Sequence, residues 1–248
     1  MTTENIATTN ATDTLAENKP SAFATLVAIF FEPTKAFAAI ERRSMTLLPL
    51  LLLIVSTSLM LVWYYQRVDF EWLLDKIFAG TPDSAAQEGK RLMKPGTMMM
   101  GSVFGEAIGT PIMFAVLACY FLIVAKIKNL KIGFGKWYAL VVWASVPNLL
   151  LALLGVIQIV LTAGGQLEPS QLNPVSLNSL LFHIEMGRPG ASLADSISLF
   201  TVWNLALMVI GFQAWTKLSR ITSVIAVLTP MVVIYGIWIA ISFSGKAA

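Results

Sequence analysis

The residue types that do enzyme chemistry are scarce in this sequence. It has one cysteine, Cys119, and one histidine, His183, so no two-histidine metal site can form within one chain. The HExxH pattern of zinc proteases, the glycine-rich phosphate loop and the GxSxG nucleophile turn are all missing. Cys119 stands among apolar residues, where a thiol stays protonated and unreactive. We therefore predict a protein that is not an enzyme and that uses no cofactor and no metal.

Uncharged polar residues inside long apolar runs are the remaining candidates for chemistry. They are Asn148, Gln158, Asn204 and Gln213. Inside a helix bundle such groups need hydrogen-bond partners, which makes a structural role the first expectation. The alternative is a substrate site near the membrane midplane on helices broken by proline, as transporters use. No ionisable residue stands at the centre of these runs, which argues against an ion-coupled carrier.

A double GxxxG pattern is formed by Gly101, Gly105 and Gly109. Small residues four positions apart share one face of a helix and let two helix backbones approach closely. We predict close packing at this face, within the bundle or between protomers, with a pore lining as the weaker alternative. A leucine at Gly105 would then overpack the contact and destabilise the bundle or the oligomer.

The elements that position these residues follow from where the charges fall. The chain is 56% hydrophobic and 12% charged, against about 25% charged in a typical soluble domain. This excludes a disordered chain, a nucleic-acid-binding domain and an ordinary cytosolic enzyme. Charges are absent from 44–66, 107–125, 137–167, 196–216 and 221–245.

Each charge-free stretch has the length of a transmembrane helix, about 20 residues, and is too long and too uniformly apolar for a barrel strand. We predict an all-α polytopic membrane protein, a bundle of five transmembrane helices. The predicted spans are 47–66, 107–125, 137–163, 195–216 and 221–243. In domain terms, a five-helix transmembrane domain covers 46–245, with outer segments at 67–104 and 164–194.

The basic residues indicate the orientation. Four of them precede the first span, and those in the connections 126–136 and 217–220 have no acidic residue beside them. Because cytoplasmic loops are enriched in lysine and arginine, we predict a cytoplasmic N-terminus and an outer C-terminus. The predicted partner is the lipid bilayer, with other membrane proteins or a second copy of the chain as further partners. No basic stripe with stacking aromatics supports nucleic-acid binding.

The first 45 residues divide into two parts. Residues 1–20 are rich in Thr, Asn and Ala without an apolar core, and we predict a disordered cytoplasmic tail. Over 21–45 the pattern predicts two short amphipathic helices separated at Glu32-Pro33-Thr34, with Phe37 and Ile40 facing inward on the second. They suit either a position in the membrane interface or packing on the cytoplasmic end of the bundle.

Four sequence segments carry a family resemblance. They are FFEPTKAFAAIERR, FGKWYALVVWASVPNLL, LNPVSLNSLL and ADSISLFTVWNLALMVIGFQAWTKLSR. In this order they resemble the Yip1 domain family, and its bacterial branch in particular. The positions that match the family pattern are Pro33, Phe37, Pro147, Asp195, Trp203 and Gly211. Ser198-Leu199 departs from the aromatic residue that the family places after the aspartate.

The resemblance implies a five-helix integral membrane protein with a cytoplasmic N-terminus, in a bacterial inner membrane. Eukaryotic members are linked to vesicle traffic and to prenylated Rab-type GTPases, but nothing in the N-terminal tail carries that role over. We expect a non-enzymatic scaffold or adaptor that acts through helix packing and through membrane or protein contacts. The alternative is a carrier for a small neutral or lipidic solute that uses the polar residues of the third and fourth spans.

Overall fold

The computed structural model describes residues 21–244, with side chains through residue 241, so the tail predicted over 1–20 lies outside the described residues. The helices are α1 Ala22–Phe31, α2 Pro33–Arg42, α3 Leu47–Arg67, α4 Phe70–Ile77, α5 Asp83–Leu92, α6 Pro95–Ile127, α7 Phe134–Ala144, α8 Asn148–Leu161, α9 Ala191–Ser196, α10 Leu199–Thr216 and α11 Arg220–Ser244. Between α8 and α9 lie 3₁₀ turns at Ala163–Gly165 and Pro169–Leu172 and a π-helical turn at Asn178–Phe182. The described residues form no strand, only an isolated bridge between Ser176 and Ser198.

Five helical segments among the described residues are long and apolar enough to cross a membrane. They are α3, α6, the consecutive pair α7–α8, α10 and α11. The prediction of an all-α polytopic membrane protein is confirmed. Because the backbone groups of a helix bond within the helix, each segment can lie in lipid without unpaired amides or carbonyls.

The largest differences from the predicted span starts are at α6 and α10. α6 begins at Pro95 rather than at 107, because proline suits a first helical turn. Glu106 does not end the helix, since its carboxylate accepts a hydrogen bond from Thr110 Oγ1 at 2.9 Å on the same helix. α10 begins at Leu199 rather than at 195, because the Ser198 side chain caps it by accepting from the Thr201 amide.

The third span is broken near its middle. α7 ends at Ala144 and α8 begins at Asn148, so the predicted helix over 137–163 is two helices joined by a turn. Pro147 is the cause, since it lacks an amide hydrogen and its ring clashes with the preceding turn. At the break, the Val141 carbonyl accepts from the Ser145 amide at 3.1 Å and also from Ser145 Oγ at 2.9 Å.

The N-terminal helices α1 and α2 separate at Glu32, as predicted, and α2 packs against α10. Phe37 and Ile40 are buried, so the predicted inward face of α2 is confirmed. The apolar face predicted for the first short helix, formed by Phe23, Leu26, Val27, Phe30 and Phe31, is not the buried side of α1. Leu26 and Phe30 are half-buried and the other three are exposed, whereas Thr25 and Ile29 on the other side are buried. The contacts show packing against the bundle.

A small hydrophobic cluster around Tyr64, Leu73 and Leu167 packs α4 against the first and third spans. The amphipathic helix α4 follows the first span directly and buries Leu73 and Leu74. Tyr64 Oη donates to the Leu167 carbonyl at 2.8 Å, and the Gly165 carbonyl accepts from the Asp69 amide at 2.9 Å. Gly165 has φ +71°, and a Cβ there would lie 2.8 Å from Asp69 N, so this junction requires glycine.

Candidate functional site

The first candidate region lies where α2 meets α7 and α10. Phe37 is fully buried and its ring meets Trp215 edge-on, with 6.2 Å between the ring centroids. Trp215 Nε1 donates to the Phe37 backbone carbonyl at 2.9 Å. A Cβ built at Gly211 would lie 2.8 Å from Phe37 Cδ1 and would collide with Leu140. We call Phe37, Leu140, Gly211 and Trp215 the motif cluster.

Further aromatic rings extend the motif cluster into the bundle. Trp137 lies 6.1 Å from Trp215 and 5.3 Å from Phe212, and Phe121 lies 5.6 Å from Phe212, all between ring centroids. Aromatic pairs at such distances stabilise a core beyond the area that they bury. The cluster therefore joins α2, α6, α7 and α10 into one closely packed region.

The other residues of the family pattern occupy separate positions. Pro33 is the first residue of α2, and Pro147 separates α7 from α8. Trp203, 38% exposed, packs edge-on against Phe30 of α1 with 5.6 Å between centroids. Asp195 lies in α9, and its Oδ1 atom is buried without a hydrogen-bond partner. The structure thus brings Phe37 and Gly211 together and leaves the rest apart.

The second candidate region is an amide pair in the middle of the bundle. Asn204 Nδ2 on α10 donates to Asn148 Oδ1, in the first turn of α8, at 2.9 Å. Asn204 is 9% exposed, and its Oδ1 atom is buried without a hydrogen-bond partner. Gln158 and Gln213 are half-buried and join neither the amide pair nor the cavity beside it. Two of the four predicted polar residues therefore converge.

A cavity of about 400 Å³ adjoins the amide pair. It lies between α6, α7–α8, α10 and α11, and most of its walls are apolar. Its polar wall includes Ser145, Asn148, Asn173, Ser198, Thr201 and Asn204. Ligand sites in proteins are commonly concave apolar spaces of this size with a few convergent polar groups.

Comparison with known proteins identifies the family of the chain. The family model described as the Yip1 domain matches residues 27–241. The chain belongs to the Yip1 domain family. No curated protein and no solved structure matches it. The matched range contains the Yip1-like positions named above, from Pro33 to Gly211.

The glycine pattern of this Yip1 domain protein does not pack within the chain. A Cβ built at Gly101, Gly105 or Gly109 would have no atom within 4 Å apart from its own chain neighbours and its own helix. The prediction of close packing within the bundle is therefore wrong, because no neighbouring helix of the described chain covers this face of α6. Packing between protomers stays a prediction.

The close helix contact of the first and third spans lies at a glycine that sequence reasoning missed. A Cβ at Gly155 on α8 would collide with the Met60 sulfur on α3 and lie 3.3 Å from the Leu172 carbonyl oxygen. Gly155 has no glycine four positions away, so it is not part of a GxxxG pattern. The one sequence signal is that glycine inside a helix destabilises it relative to alanine, which indicates a packing or functional role at that position.

The ionisable residues do not assemble a metal site in the part of the chain that the structure describes. Among residues 21–244, no group of three or more His, Cys, Asp or Glu side chains lies close enough to hold a metal ion. Cys119 is exposed on α6 rather than buried. The prediction that the protein is not an enzyme stays a prediction.

Proposed function

We propose that this Yip1 domain protein is a non-enzymatic membrane scaffold or adaptor that acts through α1 and α6. The observation that carries the proposal is the outward side of α1. Phe23 is 73% exposed and Phe31 is 81% exposed, whereas Ile29 on the same helix is fully buried. Large apolar side chains exposed together mark contact with lipid or with another protein.

The motif cluster supports this proposal because it fixes the segment that presents the exposed face. Phe37 and Trp215 attach α2 to α10, and the Phe30–Trp203 contact attaches α1 further along the same helix. Between Trp203 and Trp215 α10 advances twelve residues, about 18 Å at 1.5 Å per residue. α1 is thus held along the bundle with its apolar side outward.

The glycine face of α6 is the second surface that we assign to contacts. Gly101, Gly105 and Gly109 have open space above them, and Phe104 and Ile108 beside them are more than half exposed. Small residues between large apolar ones form the shallow groove that a partner helix fills in lipid. We propose that this face contacts a second copy of the chain or another membrane protein.

Photocrosslinking tests the scaffold proposal. A benzophenone amino acid replaces Phe23 or Phe31 in one set of variants and Ile29 in the matched control. We expect adducts with protein or lipid from positions 23 and 31, and none beyond the chain itself from position 29. Failure to recover any protein or lipid from the two exposed positions would contradict the proposal.

We also propose a bacterial inner membrane with the N-terminus in the cytoplasm and the C-terminus outside. The unopposed bases at 126–136 and at 217–220 support this orientation. In a Cys119→Ala background, Ser84→Cys should react with a membrane-impermeant thiol reagent on intact cells. Ser44→Cys should react only after the membrane is permeabilised. The reverse labelling pattern would overturn the orientation.

The second candidate function is a carrier for a small neutral or lipidic solute. One observation favours it: Asn148 and Asn204 meet at a cavity, as a carrier site requires. Gln158 and Gln213 lie away from that cavity, so half of the predicted polar site is missing. Uptake of a neutral solute into vesicles that contain the purified protein, against empty vesicles, tests this function.

A further inference from the structure

We propose that the cavity beside the amide pair binds a neutral, hydroxyl-bearing lipid, with Asn204 as the residue that recognises the hydroxyl group. Binding is a narrower statement than transport, and it does not depend on the scaffold proposal. Three features carry the inference: hydrogen-bonding capacity that the protein leaves unused, walls without charge, and an opening toward the lipid.

The unused hydrogen-bonding capacity lies on two asparagine side chains of the cavity wall. Asn204 and Asn173 each have a buried Oδ1 atom without a hydrogen-bond partner. Asn204 makes one bond, to Asn148, and rotating both amides by 180° exchanges donor and acceptor and leaves Asn204 Nδ2 unpaired instead. A buried polar group without a partner destabilises the fold. A hydroxyl group satisfies either arrangement, because it both donates and accepts.

The hydroxyl groups of the protein beside the amide pair are already engaged. Ser198 Oγ lies 3.3 Å from Thr201 Oγ1 and also accepts from the Thr201 amide, as part of the cap of α10. Ser145 Oγ donates to the Val141 carbonyl at 2.9 Å. These groups complete helix ends and breaks, so they do not supply the missing partner of Asn204.

The charge of the walls decides the class of ligand. No Lys, Arg, Asp, Glu or His of the described chain lines the cavity. A carboxylate or phosphate placed there would lose its hydration without gaining a cation, which costs far more than burying a neutral hydroxyl. The structure therefore favours a glyceride-type lipid over a fatty acid or a phospholipid headgroup.

The route into the cavity lies between α6 and α11. Met113 and Val116 on α6 and Ile234 on α11 line it, and each is at least half exposed on the lipid-facing surface. At one end of this route a hydrogen bond joins α6 to α11, because Tyr120 Oη donates to the Ala226 carbonyl at 2.8 Å. That carbonyl is the one that Pro230 leaves without its helical amide partner. The cavity is therefore open toward lipid and bounded by this bond.

The size of the cavity agrees with partial entry of the lipid. A volume of about 400 Å³ is at the lower end of the range for sites of drug-sized ligands, about 300–1,000 Å³. It accommodates a glycerol headgroup and the first part of one acyl chain. The remainder of the chain would stay in the bilayer through the opening between α6 and α11.

Photolabelling of the full-length protein in phosphatidylcholine vesicles tests this inference. The probe is a monoacylglycerol that carries a diazirine near the start of its acyl chain, and the comparison probe is the fatty acid with the same chain. We expect the monoacylglycerol to label cavity residues such as Phe114 and Met231, with saturation by unlabelled monooleoylglycerol. The fatty acid should label these residues several-fold less.

Matched variants on α10 sharpen the test. Asn204→Leu removes the amide at the cavity, and we expect saturable labelling to fall about tenfold, the effect of losing one buried hydrogen bond. Gln213→Leu makes the same chemical change on the same helix away from the cavity and should leave labelling unchanged. Met231→Trp fills the cavity from α11 and should abolish labelling even if Asn204→Leu does not fold.

Three results would overturn the inference. Labelling confined to lipid-facing residues such as Ile123 and Ile241 would show that the cavity holds no lipid. Equal labelling of cavity residues by the fatty acid would show that the walls do not select a neutral headgroup. Unchanged labelling in Asn204→Leu would remove Asn204 from recognition. A protein that binds the probe at the cavity without moving it across the membrane would support the inference and contradict the carrier function.

Discussion

The two halves of α10 differ in how completely they are packed. Its C-terminal half carries Gly211 and Trp215 of the motif cluster, where a single added carbon atom has no room. Its N-terminal half carries Asn204, which has an unpaired amide atom beside a cavity of about 400 Å³. One helix therefore connects a closely packed region to a region with a cavity and an unpaired hydrogen-bonding group. Functional sites often retain such local costs.

The largest expected effect is at Phe37, the buried ring of the motif cluster. Phe37→Ala removes a fully buried aromatic side chain and should destabilise the protein by about 3–5 kcal/mol. Phe23→Ala on the exposed side of α1 is the control and should change stability by less than about 0.5 kcal/mol. Thermal unfolding of the purified protein in detergent measures both. Equal effects would show that α2 is not anchored by the cluster.

The next effect concerns two glycines, of which one is closely packed and the other faces open space. Gly211→Leu forces a side chain against Phe37 and Leu140 and should cost roughly 1–3 kcal/mol, as overpacking does. Gly105→Leu points into open space and should leave the stability of the monomer unchanged. Unfolding in detergent under conditions where the protein is monomeric separates the two.

The same glycine variants also sharpen the proposal for α6. If the α6 face contacts a second copy of the chain, Gly105→Leu should weaken the oligomer in the membrane while the monomer keeps its stability. Crosslinking in native membranes, compared with wild type, measures this. An unchanged oligomer, or no oligomer in the wild type, would show that Gly105 faces lipid.

Comparing these glycines shows which features of the fold the sequence predicts and which it does not. Charge-free runs were sufficient to predict five spans, and apolar spacing was sufficient to place Phe37 and Ile40 on the inward face of α2. The GxxxG pattern selected Gly105, whereas the close contacts occur at Gly155 and Gly211. A glycine's spacing describes its own helix, but a contact also depends on where the partner helix lies.

The amide pair illustrates the same limit. Asn148 and Asn204 are separated by 56 residues, and the sequence offered Gln158 and Gln213 as equal candidates. Their meeting depends on the break at Pro147, which sets the first turn of α8 against α10. The sequence predicts the break from Pro147. It does not predict that the break brings Asn148 to Asn204.

A smaller effect is expected from the hydrogen bond that completes the motif cluster. Trp215→Phe removes the Nε1 donor to the Phe37 carbonyl together with the five-membered ring of the indole, and keeps one aromatic ring. We expect a loss of about 0.5–1.5 kcal/mol, because the carbonyl can still accept a bond within α2. Trp238→Phe on the exposed surface of α11 serves as the control and should be neutral. A neutral Trp215→Phe would assign the cluster's stability to ring packing alone.

Along α10 we expect the motif cluster to hold the fold and the Asn204 end to be available to a ligand. Asn204→Leu tests it most directly, with thermal unfolding and saturable monoacylglycerol labelling measured on the same sample. We expect a loss of stability well below that of Phe37→Ala, because the variant removes the unpaired Asn204 Oδ1 atom even though Asn148 loses its donor. We also expect labelling to fall about tenfold. Destabilisation as large as that of Phe37→Ala, with labelling unchanged in the folded fraction, would contradict it.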